Sequence, residues 1–288
     1  MRKIISVAHS PDADDIFMYY AIKFGWITLE NIEFQNIALD IETLNIEALK
    51  NTYDISAISF ALYPTIKKEY ALLKTAVSFG EGYGPKLVKL KTKKLKKSFK
   101  VALSGKHTTN AMLFKIYYPE AIIVYKNFLE IEDAVLNGEV DAGVLIHESI
   151  LNYDDKLQVE KELWDIWVEL SGGNLPLPLG GMALRRSIPI NRAIDYEKTL
   201  IKAVKIATTH IKPLSKMLLE RNLIRVDAPT LEKYLSLYAN KDSIELNKIQ
   251  YIAINKLFEI GYKNGFYDTP IKAEDFLIPS EYEKLRSS

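Results

Sequence analysis

Gly80-Glu81-Gly82-Tyr83-Gly84-Pro85 sets three glycines and a proline into six residues, a density that no helix or strand interior accommodates. The chain changes course there. Before it, short Ile/Val-rich runs alternate with segments of helical spacing. Strands are predicted at residues 3–8, 33–39, 54–59 and 71–79, and helical segments at 14–25, 43–50 and 61–69. This is the rhythm of βαβ units and a parallel sheet. After it the rhythm restarts, with strands at 100–103, 121–125 and 143–147, helices at 108–118 and 130–137, and an end near Gly172-Gly173. A second interruption follows, Leu175-Pro176-Leu177-Pro178-Leu179-Gly180-Gly181. A returning strand at 182–185 and helices at 192–221, 229–239 and 245–264 complete the pattern. Two interruptions around one βα block imply an α/β protein of two lobes joined by two hinge crossings. Lobe one takes residues 1–91 and 178–288, lobe two takes 92–177, and a ligand cleft lies between them.

The length suits that division, since 288 residues are long for one domain at roughly 100–200 residues each. At 48% hydrophobic and with balanced charge, the chain has enough apolar surface for a core, which excludes global disorder. A net charge of +1 gives no electrostatic reason to expect nucleic acid or an anionic membrane as partner. The absence of cysteine excludes disulfides, thiolate zinc, iron–sulfur clusters, a cysteine nucleophile and a lipoprotein anchor. The N-terminal apolar run stops at His9, short of the ~7–15 residues of a secretory signal, and no run approaches the ~20 residues of a membrane span. A cytoplasmic protein is therefore expected.

Residues 86–100 hold eight lysines and no acid. A nucleic-acid patch is one reading of the run. A solvated connector between lobes is the preferred one, because the remainder of the chain is net acidic and Phe99 alone in the run could stack a base.

Ligands of open α/β sheets bind beyond the carboxyl ends of the strands. Four predicted strand ends carry polar residues: Ser10-Pro11-Asp12 with Asp14 and Asp15, Ser59, Ser104 to Asn110, and His147 with Glu148 and Ser149. Ser10 to Asp12 and Ser104 to Thr109 also read as helix N-caps. The same geometry offers free backbone N–H groups to a carboxylate or phosphate. Ser59 also fits a purely structural role. Asp14-Asp15 could hold a hard cation, but adjacent carboxylates at a helix start do not face one point. His147 is either a structural histidine or a base at the cleft, with His107 in a loop as its rival. No nucleophile elbow, paired-histidine metal motif, dinucleotide fingerprint or P-loop is present, so a nucleotide cofactor has no support in the sequence.

The strand-end residues resemble the 1,4-dihydroxy-6-naphthoate synthase family of menaquinone biosynthesis, on the futalosine route. The matching segments are His9-Ser-Pro-Asp-Ala-Asp-Asp-Ile-Phe17, Asp40-Ile-Glu-Thr-Leu-Asn45, Ala57-Ile-Ser59, Gly105-Lys-His-Thr-Thr109, Gly138 to Gly143 with Ile146-His-Glu-Ser149, and Leu175 to Gly180, in order along the chain. Asp14 stands where that family more often has Asn, and Asn110 where a small apolar residue is familiar. The resemblance implies a type II periplasmic-binding-protein fold with a central cleft. It also implies a cofactor-independent lyase that converts cyclic dehypoxanthine futalosine, a carboxylate, into 1,4-dihydroxy-6-naphthoate and dihydroxyacetone. Carried over residue by residue, His147 is the catalytic base. Ala57, Ile58, Ser59, Thr109 and Asn110 bind substrate, and Ser10 and Thr108 at the neighbouring strand ends are added to them. Chorismate dehydratase of the same pathway, and a non-catalytic binding protein of the same fold, are the alternatives.

Overall fold

The computed structural model describes residues 2–279. The chain first lays down β1 (Lys3–His9), α1 (Ala13–Lys23), β2 (Ile32–Ala38), α2 (Ile41–Leu49), β3 (Ile55–Ser59), α3 (Tyr63–Ile66), β4 (Tyr70–Leu72) and β5 (Ser78–Gly80). It then builds β6 (Lys86–Leu90), β7 (Lys100–Leu103), α4 (Thr109–Tyr117), β8 (Ile122–Tyr125), α5 (Ile131–Leu136), β9 (Ala142–Leu145), β10 (Leu157–Glu162) and α6 (Leu163–Ser171). It returns through β11 (Leu177–Arg185) and ends with α7 (Ile190–Thr209), α8 (Ile211–Glu220), α9 (Ala228–Tyr238) and α10 (Lys248–Lys263).

Two sheets result. The first has the order β2-β1-β3-β11-β4, with β5 also pairing β11. In it β1 runs parallel to β2 and β3, and β11 runs antiparallel to β3, with Gly180 opposite Ser59 and Leu184 opposite Ile55. The second has the order β10-β6-β9-β7-β8. The chain passes between sheets at 81–85 and at 172–176, the two Gly/Pro-rich stretches. Glycine and proline suit such crossings because they set backbone angles that a continuing strand or helix cannot use.

Four sequence expectations change. The predicted strand at 71–79 is two short strands: β4 stops at Leu72 and β5 starts at Ser78, and between them Ala76 adopts φ +53°, a left-handed conformation that no strand continues through. Residues 86–90, assigned to a connector in lobe one, form β6, paired on both sides inside the second sheet. Leu87 and Val88 are fully buried there, while the Lys89 ammonium reaches Glu160 at 2.9 Å. Lysine stems pack on apolar surface while their heads stay wet, which hides such a strand from a hydropathy reading. The region after 147, left unassigned, contains β10 and α6. Leu163, Ile166 and Trp167 form the buried stripe of α6, and Gly172 at φ 73° closes it. The helix expected at 192–221 breaks at His210, because Pro213 lacks the N–H that would continue the ladder.

Helices α7, α8 and α9 pack on α1 of the first lobe, whereas α10 lies against β11 and also touches α6 of the second. The core of the first group includes Phe17, Tyr196, Leu200 and Tyr234. Each large buried apolar side chain contributes about 1.5–3 kcal/mol.

Candidate active site

Between the lobes lies a cleft whose empty space, mouth included, is about 720 Å³. Strand ends supply its walls. Ser10 and Asp12 follow β1, Ala57 to Ser59 end β3, Thr108 to Asn110 follow β7, and Ile146 and His147 follow β9. Pro85 comes from the first crossing, Leu179 to Gly181 from β11, and Tyr234 and Tyr238 from α9. The eight residues singled out in the sequence, Ser10, Ala57, Ile58, Ser59, Thr108, Thr109, Asn110 and His147, thus face one space.

His147 is not the last residue of a strand, as its position suggested. β9 stops at Leu145, and His147 opens a 3₁₀ turn, His147–Ile150, with φ +54°. Few non-glycine residues hold such an angle, and those that do cluster at functional sites. The bend places the imidazole across the cleft from α1, where Nδ1 pairs with Asp12 Oδ2. Nε2 is buried and has no hydrogen-bond partner among the described residues. Phe128 packs edge-on against the ring at 4.9 Å between centroids. Arg225 lies over the Phe128 ring at 5.3 Å and donates to the Pro11 carbonyl at 3.1 Å. Burial alone would lower the His147 pKa, but the charge and hydrogen bond of Asp12 outweigh it and hold it above the ordinary histidine value. Burial would likewise raise the Asp12 pKa, yet His147 holds that carboxyl below its usual range.

Asp12 is also the N-cap of α1, accepting the Asp15 N–H at 3.4 Å. Asp15, one turn on, receives the Ser10 N–H on Oδ2 at 2.7 Å. Burial, and after it the negative charge of Asp12, push the Asp15 pKa up to about 8. His9 is buried, stacks on Tyr19 at 5.1 Å and has its pKa lowered by that burial.

On the opposite wall Ser59 is gripped twice by Asn45. Its N–H donates to Asn45 Oδ1 at 2.9 Å, and its hydroxyl oxygen accepts from Asn45 Nδ2 at 3.0 Å. The Ser59 hydroxyl hydrogen is left for a ligand. Thr108 caps α4, accepting from the Ala111 N–H and donating to the Gly105 carbonyl. The Thr109 hydroxyl joins the lobes, donating to the Leu179 carbonyl at 2.8 Å and accepting from the Ala61 N–H at 3.2 Å. The hydroxyls of both threonines, residues expected to bind substrate, are therefore committed to the protein. What α4 still offers is its first backbone N–H groups, which have no intrahelical acceptor, and the buried, unpartnered Asn110 Oδ1. His107 is not in this cleft. Its N–H and Nδ1 both meet Glu42 of α2, at 3.0 and 2.7 Å.

Four contributors were missed in the sequence. Asp12 registered as a cap but not as the partner of His147, Asn45 registered only inside a matching segment, and Tyr234 and Tyr238 registered as helix. The available signal was a polar Asn between the buried Leu44 and Ala48 on α2. The side chain of Asp14, considered in the sequence, lies outside the described residues. Among the described residues no group of three or more His, Asp and Glu side chains is placed to hold a metal. Among the described residues no helix is long and apolar enough to cross a membrane.

Two sheets, two crossings and a cleft between strand ends define the periplasmic-binding-protein fold. The ligand-binding component of an ABC-type import system from Staphylococcus aureus matches over 98% of this chain and 99% of its own, with TM-score 0.71 and 11% identity. The aliphatic sulphonate binding protein SsuA from Escherichia coli matches over 96% and 92%, with TM-score 0.63 and 12% identity. A crystal structure of a protein from Archaeoglobus fulgidus is nearer, with TM-score 0.84 and 31% identity over 91% of this chain and 98% of that one. Residues 5–263 match the model of the menaquinone biosynthesis family, and the chain belongs to that family. Curated relatives named 1,4-dihydroxy-6-naphtoate synthase come from Thermus thermophilus and Streptomyces coelicolor. The first is 30% identical over 207 residues, 72% of this chain and 75% of the relative. The second is 26% identical over 263 residues, 88% and 91%.

Proposed function

We propose that the protein is a carbon–carbon lyase that converts cyclic dehypoxanthine futalosine into 1,4-dihydroxy-6-naphthoate and dihydroxyacetone, with His147 as general base. The observation that carries this reading is the pair across the cleft: Asp12 accepts a hydrogen bond from Nδ1–H, which leaves the Nε2 lone pair without a partner among the described residues. An imidazole so oriented, with its basicity raised by a carboxylate, suits proton removal near neutral pH. It takes the proton of a hydroxyl on the sugar-derived part of the substrate. A retro-aldol cleavage then leaves a carbonyl on the ring-bearing fragment, which becomes the aromatic diol by tautomerisation. The three-carbon fragment departs as an enolate.

The substrate carboxylate needs donors. Among the described residues that line the cleft there is no lysine or arginine, so neutral donors bind it: the first N–H groups of α4 and the Ser59 hydroxyl. A helix N-terminus favours an anion by both its free N–H groups and its dipole. Tyr234 and Tyr238 supply an apolar wall for the fused ring. We place the enzyme in the cytoplasm, on its membership of a menaquinone biosynthesis family.

Purified protein incubated with cyclic dehypoxanthine futalosine should release dihydroxyacetone and the naphthoate in equal amounts. Release of neither product, together with consumption of chorismate, would replace this reading by the dehydratase.

A further inference from the structure

Asp15 is a carboxyl at the cleft that the mechanism above leaves idle. It sits in the first turn of α1, beside Asp12 and within the electrostatic reach of His147. Its Oδ2 is tied to the Ser10 N–H at 2.7 Å, while no described residue bonds Oδ1. Asp12 is already ionised by its pairing with His147, His9 at the end of β1 is kept neutral by burial, and no described lysine or arginine lines the cleft. A second negative charge would have no counter-ion, and two close carboxylates in a desolvated site do not both ionise.

We propose that Asp15 is the proton donor of this site, delivering the proton of its free Oδ1 to the carbon of the departing three-carbon enolate. The proposal rests on the lyase reading and deepens it. Burial and the Asp12 charge, which push its pKa up to about 8, support the neutral form.

The step balances. Nε2 of His147 takes one proton from the substrate hydroxyl, and the electron pair of that O–H bond becomes the new carbonyl. The carbon–carbon bond breaks, and its pair moves to the departing fragment as an enolate. Asp15 gives that carbon one proton, so the fragment leaves as dihydroxyacetone. The site starts as Asp12 carboxylate, neutral imidazole and Asp15 acid, and ends as Asp12 carboxylate, imidazolium and Asp15 carboxylate. Its net charge is unchanged, and the proton returns from imidazolium to Asp15 through solvent once product leaves. Oppositely shifted carboxyls are how one site supplies both a base system and an acid.

Asp15→Asn keeps an oxygen for the Ser10 N–H but has no proton to give. It should fold, and its kcat should fall by roughly 10²–10⁴, with the alkaline limb of the wild-type profile lost and partial activity restored in Asp15→Glu. Wild type that turns over beside an Asp15→Asn variant within about threefold of it would overturn the proposal. A second arm reads protonation without turnover. An acid kept neutral when folded but ionised when unfolded costs stability increasingly as pH rises from about 4 to about 8. The Tm of Asp15→Asn minus that of wild type should therefore grow between pH 5 and pH 8. A difference that stays flat overturns the neutral carboxyl. Wild type that is inert toward the substrate, with a growing Tm difference, would sink the lyase reading and with it this use of the proton.

Discussion

Asp12 acts in two directions from one carboxylate. Oδ1 accepts the Asp15 N–H and starts α1, while Oδ2 holds His147 of the other lobe. Asp12→Asn should keep the geometry, because an amide oxygen still accepts the Nδ1 proton, but it removes the charge that raises the imidazole pKa. The acidic limb of kcat against pH should therefore move to lower pH, with kcat at neutral pH down by about 10–100-fold. A limb that does not move would mean that Asp12 does not tune the base. The pair also makes stability depend on pH. His147, with a raised folded pKa, contributes fully below the ordinary histidine range and loses that contribution as pH rises through the raised value. Asp12, with a depressed one, contributes above the ordinary carboxylate range and loses it as pH falls through the depressed value. His147 itself was legible in the sequence as a lone histidine closing an apolar run. Its partner was not, because a pairing between chain-distant residues leaves no spacing to read, and Asp12 already had an explanation as a cap.

At the scale of elements, the βα order and both interruptions were legible because apolar periodicity and Gly/Pro density are local signals. β6 was hidden by its lysines, and the split between β4 and β5 by a single left-handed alanine. The contacts that hold the lobes together were equally silent: the Thr109 hydroxyl between β11 and the turn after β3, and Glu42 of α2 against the loop before α4. Gly105 is needed there, since a Cβ would stand 2.3 Å from Glu42 Oε2. His107→Asn removes a hydrogen bond between lobes without touching the cleft. A typical bond contributes about 0.5–1.5 kcal/mol net, so KM should rise roughly two- to tenfold with kcat within about twofold. A variant whose kcat collapses while KM holds would place His107 in the chemistry.

For the whole molecule, the lysine run is spent within lobe two. Lys93 meets Asp141 at 2.5 Å, Lys97 pairs with Glu120, and Lys100 donates to the Glu139 carbonyl at 3.0 Å. Exposed pairs of this sort contribute little. Replacing Lys93, Lys94, Lys96 and Lys97 with Gln should leave turnover within about twofold, and a loss beyond about tenfold would mean that the run steers an anionic substrate. The central claim is that two lobes bring an acid-paired histidine to one substrate. Its most direct test mixes wild type and His147→Asn, each in excess, with cyclic dehypoxanthine futalosine and follows dihydroxyacetone in a single turnover. The expected result is stoichiometric release by wild type, and a rate lower by roughly 10²–10⁴ for a variant that still folds and binds. Release by His147→Asn within about threefold of the wild-type rate would contradict the account.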